Sequence, residues 1–373
     1  MLLPTPDPYH FLNPALVDLT PEAIQVVRYH SEIFKQNNNI VDDVLWFNVL
    51  GSDPIQEHLA ETIKRIRSTI ERPGQVVVLW AAEYHQPLSI DSVDALNKFG
   101  QSISNPVVYF TGSLGKHIYN NLKFTIVPIM SYEWESYKQW TRPEFAGVYN
   151  SVNRSRKFMM MGTKDYPERK FLLSRVIMSG QFEQGYVSYR QLDSGTLSTL
   201  YTKEERDNIL SVGNLIDDRL PLPVLFDSDT GEEWTRMPRI CLSDSYLNMV
   251  TDTYYMIPGG NTFLSEKVFN AMGNGQIFIM LSPPGTLAWL HGQGYQTFSN
   301  YIDESYDNIK NDHDRLQAVS TEFIKFIQRP IEQINSIYRE CLPIVEHNKK
   351  RLFECCFKET IQNGIRRAID EKS

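Results

Sequence analysis

The chain has 373 residues, a length that predicts about two domains and an additional segment. Hydrophobic residues make up 42% and charged residues 22%, proportions typical of a globular protein, which exclude a disordered or fibrous chain. The formal net charge of -8 disfavours non-specific attraction to nucleic acid or to anionic lipid.

The four cysteines lack the spacing of a zinc site or of a disulfide framework, which favours a reducing compartment. The N-terminal residues lack the basic and apolar regions of a signal peptide. No apolar run approaches the roughly 18 residues of a membrane span. We therefore expect a cytoplasmic protein without a membrane anchor.

Five short apolar runs, bounded by Gly, Pro or polar residues, have the continuous pattern of fully buried strands. They are residues 76–80, 107–111, 124–129, 158–161 and 277–281. Segments with helical spacing lie between them. Strands that alternate with helices predict an α/β protein whose parallel sheets are covered on both faces.

The strand and helix series starts again after a polar, turn-rich stretch near residues 145–155. We therefore predict one Rossmann-like domain over 1–150 and a second over 151–312. From His313 the apolar residues recur at helical spacing, which predicts that 313–373 form helices. We expect these helices to pack back on the domain junction.

Residues 261–281 combine a helix cap, a helix, a glycine stop and a buried strand. Thr262 or Ser265 can cap the helix, which places Glu266 and Lys267 in its first turn. Free N–H groups and the helix dipole favour an anion there. A lysine in this turn can bind a diphosphate, and a carboxylate can accept hydrogen bonds from ribose hydroxyls. The alternative is a glutamate that only complements the dipole beside a surface lysine.

A second helix start follows the strand that ends at Leu281. Residues 282–286 form a turn and a cap around Gly285, at the carboxyl end of a strand, where open α/β sheets bind ligands. We therefore expect the two helix starts to converge on one crevice and include Gly285 in the predicted ligand site.

These segments together resemble the GT-B glycosyltransferases related to the α-1,3-fucosyltransferases. They are especially similar to uncharacterised members common in phages and large viruses. The matching segments are FLSEK at 263–267, the strand that ends at Leu281, and residues 284–287, 294–298 and 303–307. The resemblance covers about residues 155–330, and the N-terminal half matches only in general layout.

The resemblance implies a GT-B fold and a nucleotide-sugar donor held by the second domain. It places Glu266 on the ribose and Lys267 and Arg169 on the diphosphate, although an arginine in a charged helix start is also typical of a surface ion pair. Asp252 follows an apolar stretch where relatives often carry an acid, and a loop cap is the alternative. The resemblance implies that the protein uses a nucleotide sugar as co-substrate and needs no cofactor. It also implies that transfer inverts the configuration of the sugar.

A metal site has weaker support. Asp227-Ser228-Asp229 imitates the D-x-D motif that holds a divalent cation in GT-A transferases, but nearby prolines disfavour a central strand there. The sequence contains no H-E-x-x-H motif, nucleophile elbow or Walker loop. We therefore predict metal-independent chemistry.

An inverting transferase needs a base for the acceptor hydroxyl, expected from the first domain. Glu83 directly follows the strand 76–80 and is our first candidate, with His85 second. Glu133 and Glu135 follow the strand 124–129 in a comparable loop. A loop that merely carries polar residues is the alternative for Glu83 and His85.

We thus expect transfer of a sugar from a nucleotide diphosphate to a hydroxyl on a glycan. A hydroxylated base in nucleic acid is an alternative acceptor, against which the acidic net charge weighs. A non-catalytic glycan- or nucleotide-binding protein, or a virion component, is the alternative of a different class. The basic clusters 154–157 and 169–170 would serve a phosphate ligand if they line the cleft.

Overall fold

A computed structural model describes most of the second half of the chain and parts of the first. The described residues are 27–30, 43–48, 63–64, 66–68, 70, 74–81, 90–112, 122–129, 133, 136, 153–162, 167–189, 203, 239–252, 255, 264–354 and 357–372. The chain divides into two units. The first comprises Met1–Ser131, Pro258–Asn261 and Cys356–Ser373, and the second comprises Tyr132–Ile257 and Thr262–Cys355.

Strands and helices follow each other along both units. The strands are β1 Val27–His30, β2 Asp43–Asn48, β3 Val76–Ala81, β4 Val107–Thr111, β5 Thr125–Pro128, β6 Arg156–Gly162, β7 Gly185–Tyr189, β8 Ser245–Thr251 and β9 Ile277–Leu281. The helices are α1 Ile90–Ser102, α2 Pro167–Met178, α3 Arg239–Asp244, α4 Glu266–Gly273, α5 Thr286–Gly292, α6 Asp312–Ile327, α7 Ile331–Phe353 and α8 Phe357–Lys372.

The first unit contains a sheet in the order β1-β2-β3-β4-β5. Strands β2 to β5 are parallel, and β1 is an antiparallel edge strand. Val76 to Leu79 of β3 and the apolar residues of β4 are buried, and part of this set packs with α1 in the core of this unit. The C-terminal helix α8 packs on β3, β4 and β5.

Gly364 of α8 packs against this sheet. A Cβ atom there would lie 2.7 Å from Val127 Cγ2 and 3.1 Å from the ring of Phe110. Hydrogen bonds hold the end of the helix in place: Lys372 Nζ donates to Ile103 O at 3.0 Å and to Gly100 O at 3.4 Å, and Thr125 Oγ1 donates to Glu371.

The substitution Gly364→Ala is therefore expected to destabilise the first unit. Alanine in a helix normally adds up to about 1 kcal/mol of stability over glycine, but overpacking of this contact costs about 1–3 kcal/mol. Thermal unfolding of Gly364→Ala and of Gly292→Ala, where a Cβ would meet nothing within 4 Å, measures the difference. Equal or raised stability of Gly364→Ala would contradict this packing.

The second unit contains a parallel sheet in the order β7-β6-β8-β9. After β6 the chain passes through α2 to β7 on one side, and after β8 it passes through α4 to β9 on the other side. The direction of winding therefore changes between β6 and β8. All residues of β8 and β9 are buried. Helix α6 packs on α2 and β9, and α7 packs on α4.

The observed elements confirm the predicted α/β class: the first unit has four parallel strands with an antiparallel edge strand, the second unit has an all-parallel sheet, and helices form the C-terminal end. The five predicted strands are present as β3, β4, β5, β6 and β9, with bounds that differ by no more than two residues.

Candidate functional site

The candidate site lies at the carboxyl ends of β6 and β8. In open α/β sheets, ligands bind where the winding direction changes, because the connections on either side leave a crevice. Helix α2 follows β6 and helix α4 follows β8, so the starts of both helices flank this point. The residues there are Arg169 on α2, Asp252 after β8, and Ser265, Glu266 and Lys267 at the start of α4, which we call the switch-point cluster.

Helix α4 is fixed by its buried face and by its cap. Val268 and Met272 are 0% and 1% exposed. Ser265, with extended backbone angles, is the N-cap residue, and its Oγ accepts a hydrogen bond from Lys267 N at 3.5 Å. The predicted cap at Ser265 is therefore present, and the first turn of α4 faces the carboxyl edge of the sheet.

Glu266 and Lys267 form an ion pair in this first turn. Lys267 Nζ lies 2.8 Å from Glu266 Oε1, and the side chains are 17% and 14% exposed for Lys267 and Glu266, respectively. Both side chains thus retain a solvent-exposed part, so a ligand can reach them.

Asp252 lies behind this pair and is fully buried. Its Oδ1 accepts a hydrogen bond from Ser265 Oγ at 2.5 Å, and its N–H donates to Leu281 O at 3.0 Å. Its Oδ2 has no hydrogen-bond partner among the described residues. Burial raises the pKa of Asp252 to about 6, against the opposing effects of Lys267 and of the Ser265 hydrogen bond.

Arg169 joins α2 to the end of β8. Its Nη2 donates to Thr251 O at 3.4 Å, and the residue is 4% exposed.

The neighbouring Glu168 was not a predicted site residue, yet it is 3% exposed, and burial raises its pKa to about 7. A carboxyl group that titrates near neutral pH beside a ligand crevice is a feature of functional sites. From the sequence, Glu168 after Pro167 indicates only an acidic residue that complements the helix dipole in the first turn of α2. Its burial could not be predicted, because burial depends on packing against residues distant in sequence.

Gly285 adopts the left-handed conformation, with φ +84°, directly before α5, and its N–H donates to Asp307 O at 2.8 Å. The Asp307 carboxylate accepts hydrogen bonds from the N–H groups of Leu287 at 3.0 Å and Ala288 at 3.1 Å. These N–H groups therefore have an internal anionic acceptor.

Two other predicted groups have structural partners elsewhere in the second unit. Glu133 is 4% exposed, accepts a hydrogen bond from Tyr295 and pairs with Arg351 Nη1 at 3.2 Å. In the basic cluster 154–157, Arg154 binds carbonyl groups at the amino ends of β8 and β9, opposite the switch-point cluster. These two residues thus hold the fold of this unit together.

Several predicted residues lie outside the described part of the chain. They are the candidate bases Glu83 and His85, the alternative Glu135, and the acidic pair Asp227 and Asp229. Within the described residues, no group of three or more His, Cys, Asp or Glu side chains is placed to share a metal ion. Nor does any helix of the described ranges combine the length and apolar character needed to cross a membrane.

No family model matches this chain, and a search of curated proteins found no match. Among solved structures, the chain is similar to α,α-trehalose 6-phosphate synthase from Burkholderia multivorans, at 13% identity and a TM-score of 0.43, over 87% of this chain and 79% of that one. It is also similar to the N-terminal domain of Candida albicans trehalose-6-phosphate phosphatase, at 12% identity and a TM-score of 0.40, over 83% and 77% of the two chains. The UDP-forming α,α-trehalose-phosphate synthase from Burkholderia vietnamiensis matches at 13% identity and a TM-score of 0.40, over 85% and 79%. All three TM-scores lie below 0.5.

Proposed function

We propose that this protein is a glycosyltransferase whose second unit binds a nucleotide-diphosphate sugar. One observation carries the proposal: Arg169 on α2 and Ser265, Glu266 and Lys267 on α4 flank the point where the winding of an all-parallel sheet changes direction. Two cations and a capped helix start next to such a crevice suit an anionic ligand with hydroxyl groups.

The residues of the first turn of α4 have complementary roles in this proposal. The Lys267 ammonium and the α4 dipole bind the diphosphate, and the Glu266 carboxylate accepts hydrogen bonds from the ribose hydroxyls. Binding the donor exchanges the ion pair between these two residues for contacts with the ligand. During transfer the same cation stabilises the negative charge that develops on the leaving diphosphate, so that no metal ion is required.

The acceptor chemistry is a finer part of the proposal. Transfer with inversion uses a base that removes the proton of the acceptor hydroxyl, and Glu83 in the first unit is our candidate, followed by His85. The acceptor is a hydroxyl group of a glycan.

Binding experiments with nucleotides test the proposal. Wild-type protein is titrated in a calorimeter with UDP, GDP, CDP and dTDP and with their sugars, with and without EDTA. We expect one nucleotide class to bind and to raise the melting temperature, with the same affinity in EDTA. The absence of binding by every member of the panel would refute a donor site, and binding lost in EDTA would refute metal independence.

A further inference from the structure

We propose that Asp252 is a positioning residue that couples donor binding to proton uptake at its Oδ2 atom. The inference rests on the proposed donor site and adds to it a dependence of donor affinity on pH. Asp252 does not contact the ligand in this proposal and acts through Ser265 and Lys267.

The two oxygens of the Asp252 carboxylate have different surroundings. Oδ1 accepts the hydrogen bond from Ser265 Oγ, the side chain that caps α4. Oδ2 is buried and lacks a hydrogen-bond partner among the described residues. A buried charged oxygen without a hydrogen bond is unfavourable, and protonation at Oδ2 removes the charge while Oδ1 still accepts from Ser265. The α4 cap therefore persists in both protonation states.

The charges around Asp252 change when a diphosphate binds. On α4, Lys267 favours the charged form of the carboxyl group and Glu266 disfavours it. On α2, Arg169 donates to the carbonyl of the adjacent Thr251 and lies next to Glu168. A diphosphate that binds the Lys267 ammonium adds negative charge and weakens the effect by which Lys267 favours the charged form of Asp252. Donor binding then raises the pKa of Asp252 further, and protons are taken up near pH 7.

Calorimetry of wild-type protein measures this uptake directly. The probe is the nucleotide sugar selected by the panel, because it lacks the terminal phosphate whose ionisation near pH 6 would contribute protons of its own. Titrations at pH 7 in two buffers of different ionisation enthalpy give the number of protons bound. We expect roughly 0.3 to 0.8 proton per site, and an affinity that increases from pH 8 to pH 6 by up to about tenfold per pH unit.

Two variants separate the charge of Asp252 from its contact with Ser265. Asp252→Asn keeps an oxygen for Ser265 but cannot titrate, so it should bind the donor without proton uptake and without this pH dependence. Ser265→Ala loses the cap but keeps the carboxylate, so it should bind more weakly and retain the uptake. If Asp252→Asn does not fold, the proton count is taken on Glu168→Gln, which removes the other buried carboxyl group of raised pKa at this crevice, and uptake that persists there is expected for Asp252.

The possible failures are distinguishable. Donor binding by the wild type without proton uptake, or uptake that persists in Asp252→Asn, would overturn the role of Asp252 and leave the donor site standing. If no nucleotide sugar binds, both proposals fall.

Discussion

The substitution Arg154→Lys is expected to destabilise the second unit by about 3–5 kcal/mol, because it breaks a buried network of charge-assisted hydrogen bonds. Arg154 is 4% exposed, and its guanidinium lies over the ring of Tyr338, 5.0 Å from the centroid. Its two terminal nitrogens donate to Leu242 O, Ser245 O, Asn274 O, Gly275 O and Tyr338 Oη, at 2.7–3.1 Å. A lysine ammonium has three donors and no planar fork, so buried carbonyl groups would lose their partners.

Thermal and denaturant unfolding of the purified variant test this expectation. Arg156→Lys is the matched control in the same segment, because Arg156 is exposed and donates to Glu183 O at 2.8 Å, and its replacement should change stability by no more than about 0.5 kcal/mol. Similar unfolding of the two variants would mean that the Arg154 contacts do not hold the β6, β8 and β9 ends together.

The substitution Lys267→Ala is expected to weaken binding of the selected nucleotide sugar by roughly 10- to 100-fold. Loss of a hydrogen bond between a cation and a diphosphate costs about 1.5–3 kcal/mol, which corresponds to this range of affinity. Calorimetry under the conditions of the wild-type titration gives the two dissociation constants. An unchanged melting temperature of the free variant would show that the loss is one of binding.

Lys350→Ala is the matched control, since this lysine is 76% exposed on α7 and pairs across the helix surface with Glu354. Its affinity for the nucleotide sugar should equal that of the wild type.

Glu266→Gln separates the two roles in the first turn of α4, because it removes the ion pair of Lys267. Inorganic pyrophosphate should then bind at least as tightly as it binds to the wild type, whereas the nucleoside diphosphate should bind more weakly than it binds to the wild type. Lys267→Ala with binding within twofold of wild type would remove this residue from the site.

The strands that could be predicted are those whose own residues are continuously apolar. Residues 277–281 and 107–111 have this pattern, and both are buried strands. Strand β8 was not predicted, because it contains polar residues at buried positions. Asn248 in β8 donates to Gln276 Oε1 at 2.9 Å, and Gln276 in turn donates to Ser245 Oγ at 2.7 Å. Only a partner distant in sequence makes such residues compatible with a buried strand.

The helix start at Ser265 could be predicted because capping depends on neighbouring residues alone. Two other features of the site depend on contacts across many residues. Asp307 accepts hydrogen bonds from N–H groups of α5 that lie twenty and nineteen residues before it in the sequence. Arg154 lies at the amino ends of the strands because it donates to carbonyl groups about 90 and 120 residues away. Burial of Glu168, Arg169 and Asp252 likewise follows from packing between elements and has no local pattern.

A crystal structure of the protein with the nucleotide sugar selected by the panel tests the donor site most directly. We predict that the diphosphate lies against the first turn of α4 with an oxygen within hydrogen-bond distance of Lys267 Nζ, and that the ribose hydroxyls donate to the Glu266 carboxylate. In that complex the ion pair between Glu266 and Lys267 is separated. A diphosphate bound away from α4, or an ion pair that remains closed beneath the bound ligand, would contradict this account.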